Sequence, residues 1–301
     1  MKHLGEVKTF LGYEVIRNRS QRTVFVTQER YTRSLISKFG YEGLHGVKSP
    51  WPPNFVLEDG DLLPNEGKPY LKKTGSVNYL STGTRPDITY TVNRLCEGNA
   101  KPTNRHLELM KHLFRYLIHT AELGILLGGK PSPGNDNVIN LRLRAYADAS
   151  FADEKFTRHS TGGHVVFLGA GPVYWKSKKQ AFVTLSTTEA EHSNLTPAAI
   201  SALWISGMLA ELGAPQPAPS LIYTDSKNAR HQVMNPQVAA RNRCIDVRYK
   251  WLIEQVQQGK FTVTHIPGDE MIADGFTKPL NAEKHGKFVK MLGLASRNIV
   301  S

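Results

Sequence analysis

The chain has 301 residues, 40% hydrophobic and 21% charged, enough for one large or two ordinary globular domains. No apolar run is long enough to span a bilayer, and the start "MKHLGEVKTF" lacks the apolar stretch of a signal peptide, so neither a membrane-embedded nor an exported protein is expected. Lys and Arg outnumber Asp and Glu by 38 to 26, a net charge of +12 that favours a polyanionic partner, while two cysteines, Cys96 and Cys244, are too few for a Cys-rich zinc site or a disulfide framework and fit a reducing intracellular setting, cytoplasm or nucleus.

The β-rich runs "TFLGYEVIR" and "RTVFVTQ", joined by the polar "NRSQ", predict a hairpin. In "QERYTRSLISKFG" the residues Tyr31, Leu35 and Phe39 recur at helical spacing, and Gly40 stops the helix. The segment "SPWPPNFVLEDGDLLPNEGKP" holds five prolines and reads as an extended surface loop. Two helical patterns follow. One lies around "SVNYLSTGTRPDITYTVNRL"; the other, "NRHLELMKHLFRYLIHT", puts Leu107, Met110, Leu113, Phe114 and Leu117 on one face. "KPSPGNDN" (130–137) reads as a linker and a domain boundary.

Beyond the linker the order is strand, hairpin, long helix, strand, helix, helix, strand, helix. Strands are expected near 139–148, 163–168, 172–176, 220–225 and 260–266, with the hairpin turn at "GAGP" (169–172). This alternation predicts an α/β domain with a mixed sheet. Two of the strands finish in the same way, "AYAD" at Asp148 and "IYTD" at Asp225. Strand ends are where ligand sites form in α/β sheets.

The long helix begins at "LSTTEAEHSNL", where Ser186 and Glu189 have capping-box spacing. Glu191 has no such local role. It heads a stripe of Leu195, Ala198, Ala202, Ile205, Leu209 and Leu212, in steps of four and three, where an apolar residue is expected. Glu189 lies about 200° away around the helix. An inward carboxylate costs free energy unless something positive meets it. Glu191 therefore pairs with a buried Arg or Lys, or it converges with Asp148 and Asp225 on a metal ion. Asp274, in a short helix after the turn "IPGD", is a fourth acid; on local grounds such a residue is usually solvated.

In this order, "YADAS", "STTEAE", "IYTDS" and "MIADGFTKPL" resemble the ribonuclease H domain of copia-type retrotransposon polyproteins, and "TGGHVVFLGAGPVYWKSKKQ" is similar to its second and third strands. "FLGYEV", "TQERYTRSLISKFG" and "TGSVNYLSTGTRPDITYTVNRL" resemble the segment after the polymerase palm in the same polyproteins. The resemblance implies an α/β fold: a ribonuclease H-like mixed five-stranded sheet flanked by helices, preceded by a smaller α+β connection-like domain. Residues 1–130 would be a thumb- or connection-like remnant of a reverse transcriptase. Residues 138–280 would be the ribonuclease H-like domain, and 281–301 a C-terminal helix and tail. No Asp-Asp pair, part of the family's polymerase signature, occurs in the chain.

Ribonucleases H hold two divalent ions with an Asp, Glu, Asp, Asp quartet. Matched motif by motif, the catalytic and metal-holding residues would be Asp148, Glu191, Asp225 and Asp274. Hard oxygen ligands suit Mg²⁺ or Mn²⁺. Two such ions about 4 Å apart can activate a water and stabilise the leaving oxygen of a phosphodiester. The implied activity is hydrolysis of the RNA strand of an RNA–DNA hybrid, with other parts of a parent polyprotein as further partners. Lys176, Lys178 and Lys179 would meet the hybrid's phosphates or form a solvated basic turn, and Arg241, Arg243, Arg248 and Lys250 leave the same choice. His265 ends a strand or assists proton transfer.

Ser150, Cys244 and Pro197 depart from the family pattern; Pro197 would disturb the long helix just after Glu191. They leave open a catalytically inactive nucleic-acid-binding or structural remnant of a decayed retrotransposon. An integrase, with the same fold, would present its acids as Asp, Asp, Glu and need more cysteines for zinc.

Overall fold

A computed structural model of the chain describes residues 5–57, 60–63, 67–128, 131–132, 135–139, 142–150, 159–180, 187–235 and 247–297. The strands are β1 (Thr9–Phe10), β2 (Tyr13–Asn18), β3 (Thr23–Thr27), β4 (Leu123–Gly128), β5 (Pro131–Ser132), β6 (Asn135–Ile139), β7 (Leu143–Ser150), β8 (Thr161–Leu168), β9 (Gly171–Lys179), β10 (Ser220–Thr224), β11 (Phe261–His265) and β12 (Leu294–Ser296). The helices are α1 (Glu29–Lys38), α2 (Gly67–Gly83), α3 (Thr89–Glu97), α4 (Asn104–His119), α5 (Thr187–Glu211), α6 (Lys227–Met234), α7 (Val247–Gln257) and α8 (Ala282–Met291). Two compact units result: Met1–Gly128 with Pro279–Ser301, and Gly129–Lys278.

The first unit holds a sheet in the order β1-β2-β3-β4-β12, antiparallel throughout. The N-terminal hairpin is present as read, and α1 gives way to Gly40 at φ +70. Helix α4 starts where the Thr103 hydroxyl accepts the His106 N–H. It buries Met110, Leu113, Phe114 and Leu117, with Leu107 only partly covered.

Three expectations change here. The proline-rich segment is a loop, but not wholly at the surface: Leu62 is exposed, while Trp51 and Leu57 are buried in the same core as Leu80 and Leu113. Proline bars ladders and helices, but it does not keep a neighbouring side chain out of a core. The pattern around "SVNYLSTGTRPDITYTVNRL" is broken, with α2 ending at Gly83, a 3₁₀ turn at Pro86–Ile88, and α3 beginning at Thr89. Pro86 disfavours helical backbone at Arg85, which leaves it.

At that break Arg85 and Asp87 form a fully buried fork, Nε to Oδ1 at 2.9 Å and Nη2 to Oδ2 at 2.7 Å. Arg85 also donates to the Thr120 carbonyl and hydroxyl. Tyr116 donates to Asp87 at 2.7 Å and meets His285 of α8 at 3.0 Å. So the third change is that the C-terminal helix, read as a separate tail, is built into the first unit.

The second unit holds the sheet β11-β10-β7-β8-β9. β7, β8 and β9 form an antiparallel meander; β10 joins β7, and β11 joins β10, in parallel. This is the mixed five-stranded sheet expected, with helices packed on it. Leu143, Ala145 and Ala147 of β7 and Ile222 of β10 share a core with Leu195, Ala198 and Ala202 of α5, Val233 of α6 and Leu252 of α7. Alternation along a strand puts these residues on one face of the sheet.

The first strand of this sheet is Leu143–Ser150 rather than 139–148. Ile139 instead closes β6, which pairs with β5 inside the segment read as a linker. Asp148 therefore sits within a strand, two residues before its end. Helix α5 continues across Pro197 to Glu211. The stripe it buries stops short of Leu212, which lies past the helix end and is 79% exposed. Ser186 of the capping box lies outside the described residues, and Glu189 is exposed.

Candidate metal centre

The repeated Tyr-x-Asp has a structural origin. β7 and β10 run parallel with Tyr146 opposite Tyr223, and the two rings stack with centroids 4.8 Å apart. Side chains alternate along a strand, so Asp148 and Asp225, each two residues further on, emerge side by side on the face of the tyrosines. Glu191, in the first turns of α5, completes the group. One oxygen from each of Asp148, Glu191 and Asp225 lies within 4.8 Å of the others.

The centre is electrostatically loaded. Burial pushes the Asp148 carboxyl well above its usual range, and the charge of Asp274 adds to this. Glu191 is raised by burial and by Asp148 and Asp225. Asp225 is raised by burial and by Asp274. Glu191 Oε2 and Asp225 Oδ1 are enclosed without a hydrogen-bond donor among the described residues. An all-oxygen set with unmatched buried lone pairs suits a hard divalent cation and not a thiophilic one. On that test these residues fit Mg²⁺ or Mn²⁺.

Asp274 is near but not part of the group. It lies in the 3₁₀ turn Ile272–Phe276, and its Oδ1 is 2.8 Å from Lys278 Nζ. The turn is anchored to the sheet. Thr277 donates from its hydroxyl to Asp148 Oδ2, and Phe276 is fully buried. Asn194, one turn beyond Glu191, donates to the carbonyls of Asp148 at 2.6 Å and Gly163 at 2.5 Å. That pair of bonds fixes the start of α5 against β7 and β8, and so holds Glu191 over Asp148.

Asn194, Thr277 and Lys278 were not singled out by the sequence. A polar residue beside the buried stripe of α5, one turn after Glu191, is a signal for the first. The other two carry no local signal.

The basic residues fall in several places. Across the meander Asp148 faces Gly163, and Gly163 faces Ser177. Lys176 and Lys178 flank Ser177 and so project from the opposite face of the edge strand; both are exposed. The strand does not aim them at the carboxylates. Lys179 is half-buried. Arg241 and Arg243 lie outside the described residues, as does Cys244. His265 does end β11, level with Thr224. With Lys227, Asn228, Arg230 and His231 it lines a cleft of about 430 Å³ that has no acidic residue among the described residues of its wall.

No helix among the described residues is long and apolar enough to cross a membrane. No family model matches the chain. It is 35% identical over 296 residues to the Retrovirus-related Pol polyprotein from transposon RE1 of Arabidopsis thaliana, covering 98% of this chain and 19% of that protein. To the corresponding polyprotein from transposon TNT 1-94 of Nicotiana tabacum it is 31% identical over 306 residues, covering 98% and 22%. The chain thus spans about a fifth of the length of these relatives. Among solved structures, LC11-RNase H1 in complex with an RNA/DNA hybrid aligns over 45% of this chain and 94% of that one, at 14% identity and a TM-score of 0.33.

Proposed function

This chain belongs to the retrovirus-related Pol polyproteins of copia-type transposons, and from that premise we propose that its second unit is a metal-dependent ribonuclease H, hydrolysing the RNA strand of RNA–DNA hybrids. The observation that carries the reading is the convergence of Asp148, Glu191 and Asp225 from three separate elements, with buried oxygens of Glu191 and Asp225 that no described residue satisfies. A structural site would not gather three carboxylates without a cation.

Asp148, Glu191 and Asp225 would hold the ions, with Asp274 as the fourth ligand. Bound divalent ions would supply an activated water and charge stabilisation for phosphodiester hydrolysis. The chain's own residues orient and exclude. Asn194 and Thr277 fix the carboxylates, the stacked tyrosines wall one side, and the cleft of Lys227, Arg230, His231 and His265 offers positive charge to the sugar–phosphate backbone. A hybrid is distinguished by shape and by its 2′-hydroxyls, not by base sequence.

The first unit, in this reading, is a connection-like remnant without polymerase chemistry. Its basic residues add non-specific affinity for template and primer strands.

The test is an assay of the purified chain on a labelled RNA–DNA hybrid with Mg²⁺ or Mn²⁺. Cleavage confined to the RNA strand and lost in EDTA supports the reading. Equal cleavage of double-stranded DNA removes the substrate assignment, and undiminished cleavage in EDTA removes the metal. Binding of the hybrid without any cleavage would instead identify an inactive nucleic-acid-binding copy.

A further inference from the structure

We propose that Lys278 is the counter-ion of the carboxylate centre: its ammonium group pairs with Asp274, and a divalent ion binds by displacing it. The inference rests on the reading of the centre as a divalent-ion site. It adds a residue that gates occupancy.

The starting point is the geometry of the fourth acid. Asp148, Glu191 and Asp225 bring oxygens within 4.8 Å of one another, and Asp274 lies beside them, where its charge acts on Asp148 and Asp225. Its Oδ1 is engaged 2.8 Å away by Lys278 Nζ. The two residues sit on a single turn, closed by the Lys278 N–H donating to the Asp274 carbonyl at 3.2 Å. That turn cannot drift. Phe276 and Thr277 pack directly above Gly163, and Thr277 is bonded to Asp148. The Lys278 charge therefore stays beside the acidic group, where Asp148 and Asp225 also feel it.

An ammonium group is a compact single charge, whereas a divalent ion gathers several carboxylates at once. The two repel one another and compete for the same oxygen of Asp274. The Lys278 side chain is 46% exposed, so it can swing into water while the backbone of the turn stays where it is. Asp274 is then released to complete the ligand set. Exchange of one cation for another is thereby linked to the availability of this Asp274 oxygen as a ligand.

The experiment uses the full chain without nucleic acid. Wild type, Lys278→Met, Lys278→Gln and Lys278→Arg are stripped with EDTA, dialysed, and titrated with Mn²⁺ and then Mg²⁺ by calorimetry. Melting temperatures are read with and without each ion. Loss of the competing charge should tighten Mn²⁺ binding in the Met and Gln variants on the order of tenfold. It should also lower their melting temperature in EDTA and enlarge the rise on adding the ion. Lys278→Arg should stay close to wild type. In wild type, the ¹⁵Nζ resonance of Lys278 should move to the position of a free lysine as Mg²⁺ saturates. Unchanged or weaker binding in the Met and Gln variants, with normal binding by wild type, overturns the inference and leaves the metal centre standing. Absence of binding by wild type overturns both.

Discussion

Asp148 faces Gly163 across the β7–β8 pair, and the missing side chain at 163 is what lets the 272–278 turn reach the carboxylate. A Cβ at that position would lie 2.5 Å from Phe276 Cβ and 2.8 Å from Thr277 Cγ2. Neither neighbour can yield, because Phe276 is in the core and Thr277 holds Asp148. Gly163→Ala should therefore lift the turn, at a cost of about 1–3 kcal/mol, and reduce hybrid cleavage at least as much as Thr277→Val does. Melting curves and cleavage rates of both variants check this. Wild-type values for Gly163→Ala would mean that the turn plays no part in setting the centre.

The two glutamates at the head of α5 should separate cleanly. Glu191→Gln keeps the shape but removes one of several mutually repelling buried charges, so the metal-free chain should melt higher while cleavage falls by orders of magnitude. Glu189 is exposed, and Glu189→Ala should cost about 1 kcal/mol or less and leave cleavage nearly intact. The opposite ranking of cleavage would overturn the assignment of Glu191.

Stability without metal should depend on pH in two opposed ways. Asp148, Glu191 and Asp225 have carboxyls raised in the folded chain, by burial first and by neighbouring acids second. A group that binds its proton more tightly when folded contributes its full stability below the unfolded value, about 4 here, and loses it as pH climbs. The chain in EDTA should therefore weaken from pH 4 through neutrality. Saturating Mg²⁺ should flatten that decline, and Glu191→Gln should reduce it. His164 behaves in the other sense. Burial lowers it to about 4 from 6.5, so its contribution is intact above 6.5 and disappears as pH falls through 4. Urea midpoints across pH 4–9, with and without Mg²⁺, read both limbs.

Ending the chain after Lys278 should unfold the first unit while sparing the second. The cut removes β12 from β4, His285 from Tyr116, and Arg297 from Glu14 and Glu29. Hydrogen exchange should accelerate at Ile125 and in α4 and stay slow in β7 and β10. Unaltered protection of α4 would show that the C-terminal segment is dispensable.

Much of the centre was legible because its logic is local. Tyr146-x-Asp148 and Tyr223-x-Asp225 are period-2 statements about two strands, and Glu191 interrupts an otherwise apolar helical stripe. Asp274 was legible through resemblance alone, since nothing in its neighbourhood marks it. Thr277 and Lys278 were not legible at all: their partners are set by how a turn 129 residues downstream of Asp148 lands on β8. The face that Lys176 and Lys178 occupy was hidden for a related reason, because it depends on the register of β8 with β9. In the first unit β4 escaped notice because "LGILLG" is a continuous apolar run without alternation.

The return of the C-terminal segment to the first unit also dictates an order of assembly. Tyr116 and His285 are 169 residues apart in sequence, yet they share one buried network. A ribosome releases β1 to β4 long before it releases the helix and strand that finish their sheet. Throughout that interval β4 has an unpaired edge and the Tyr116 hydroxyl lacks its His285 partner. The inserted second unit has every one of its strands available earlier. Of the two units, the one whose strands are made first is therefore the last to become native, and in the meantime it is the one most exposed to wrong strand partners.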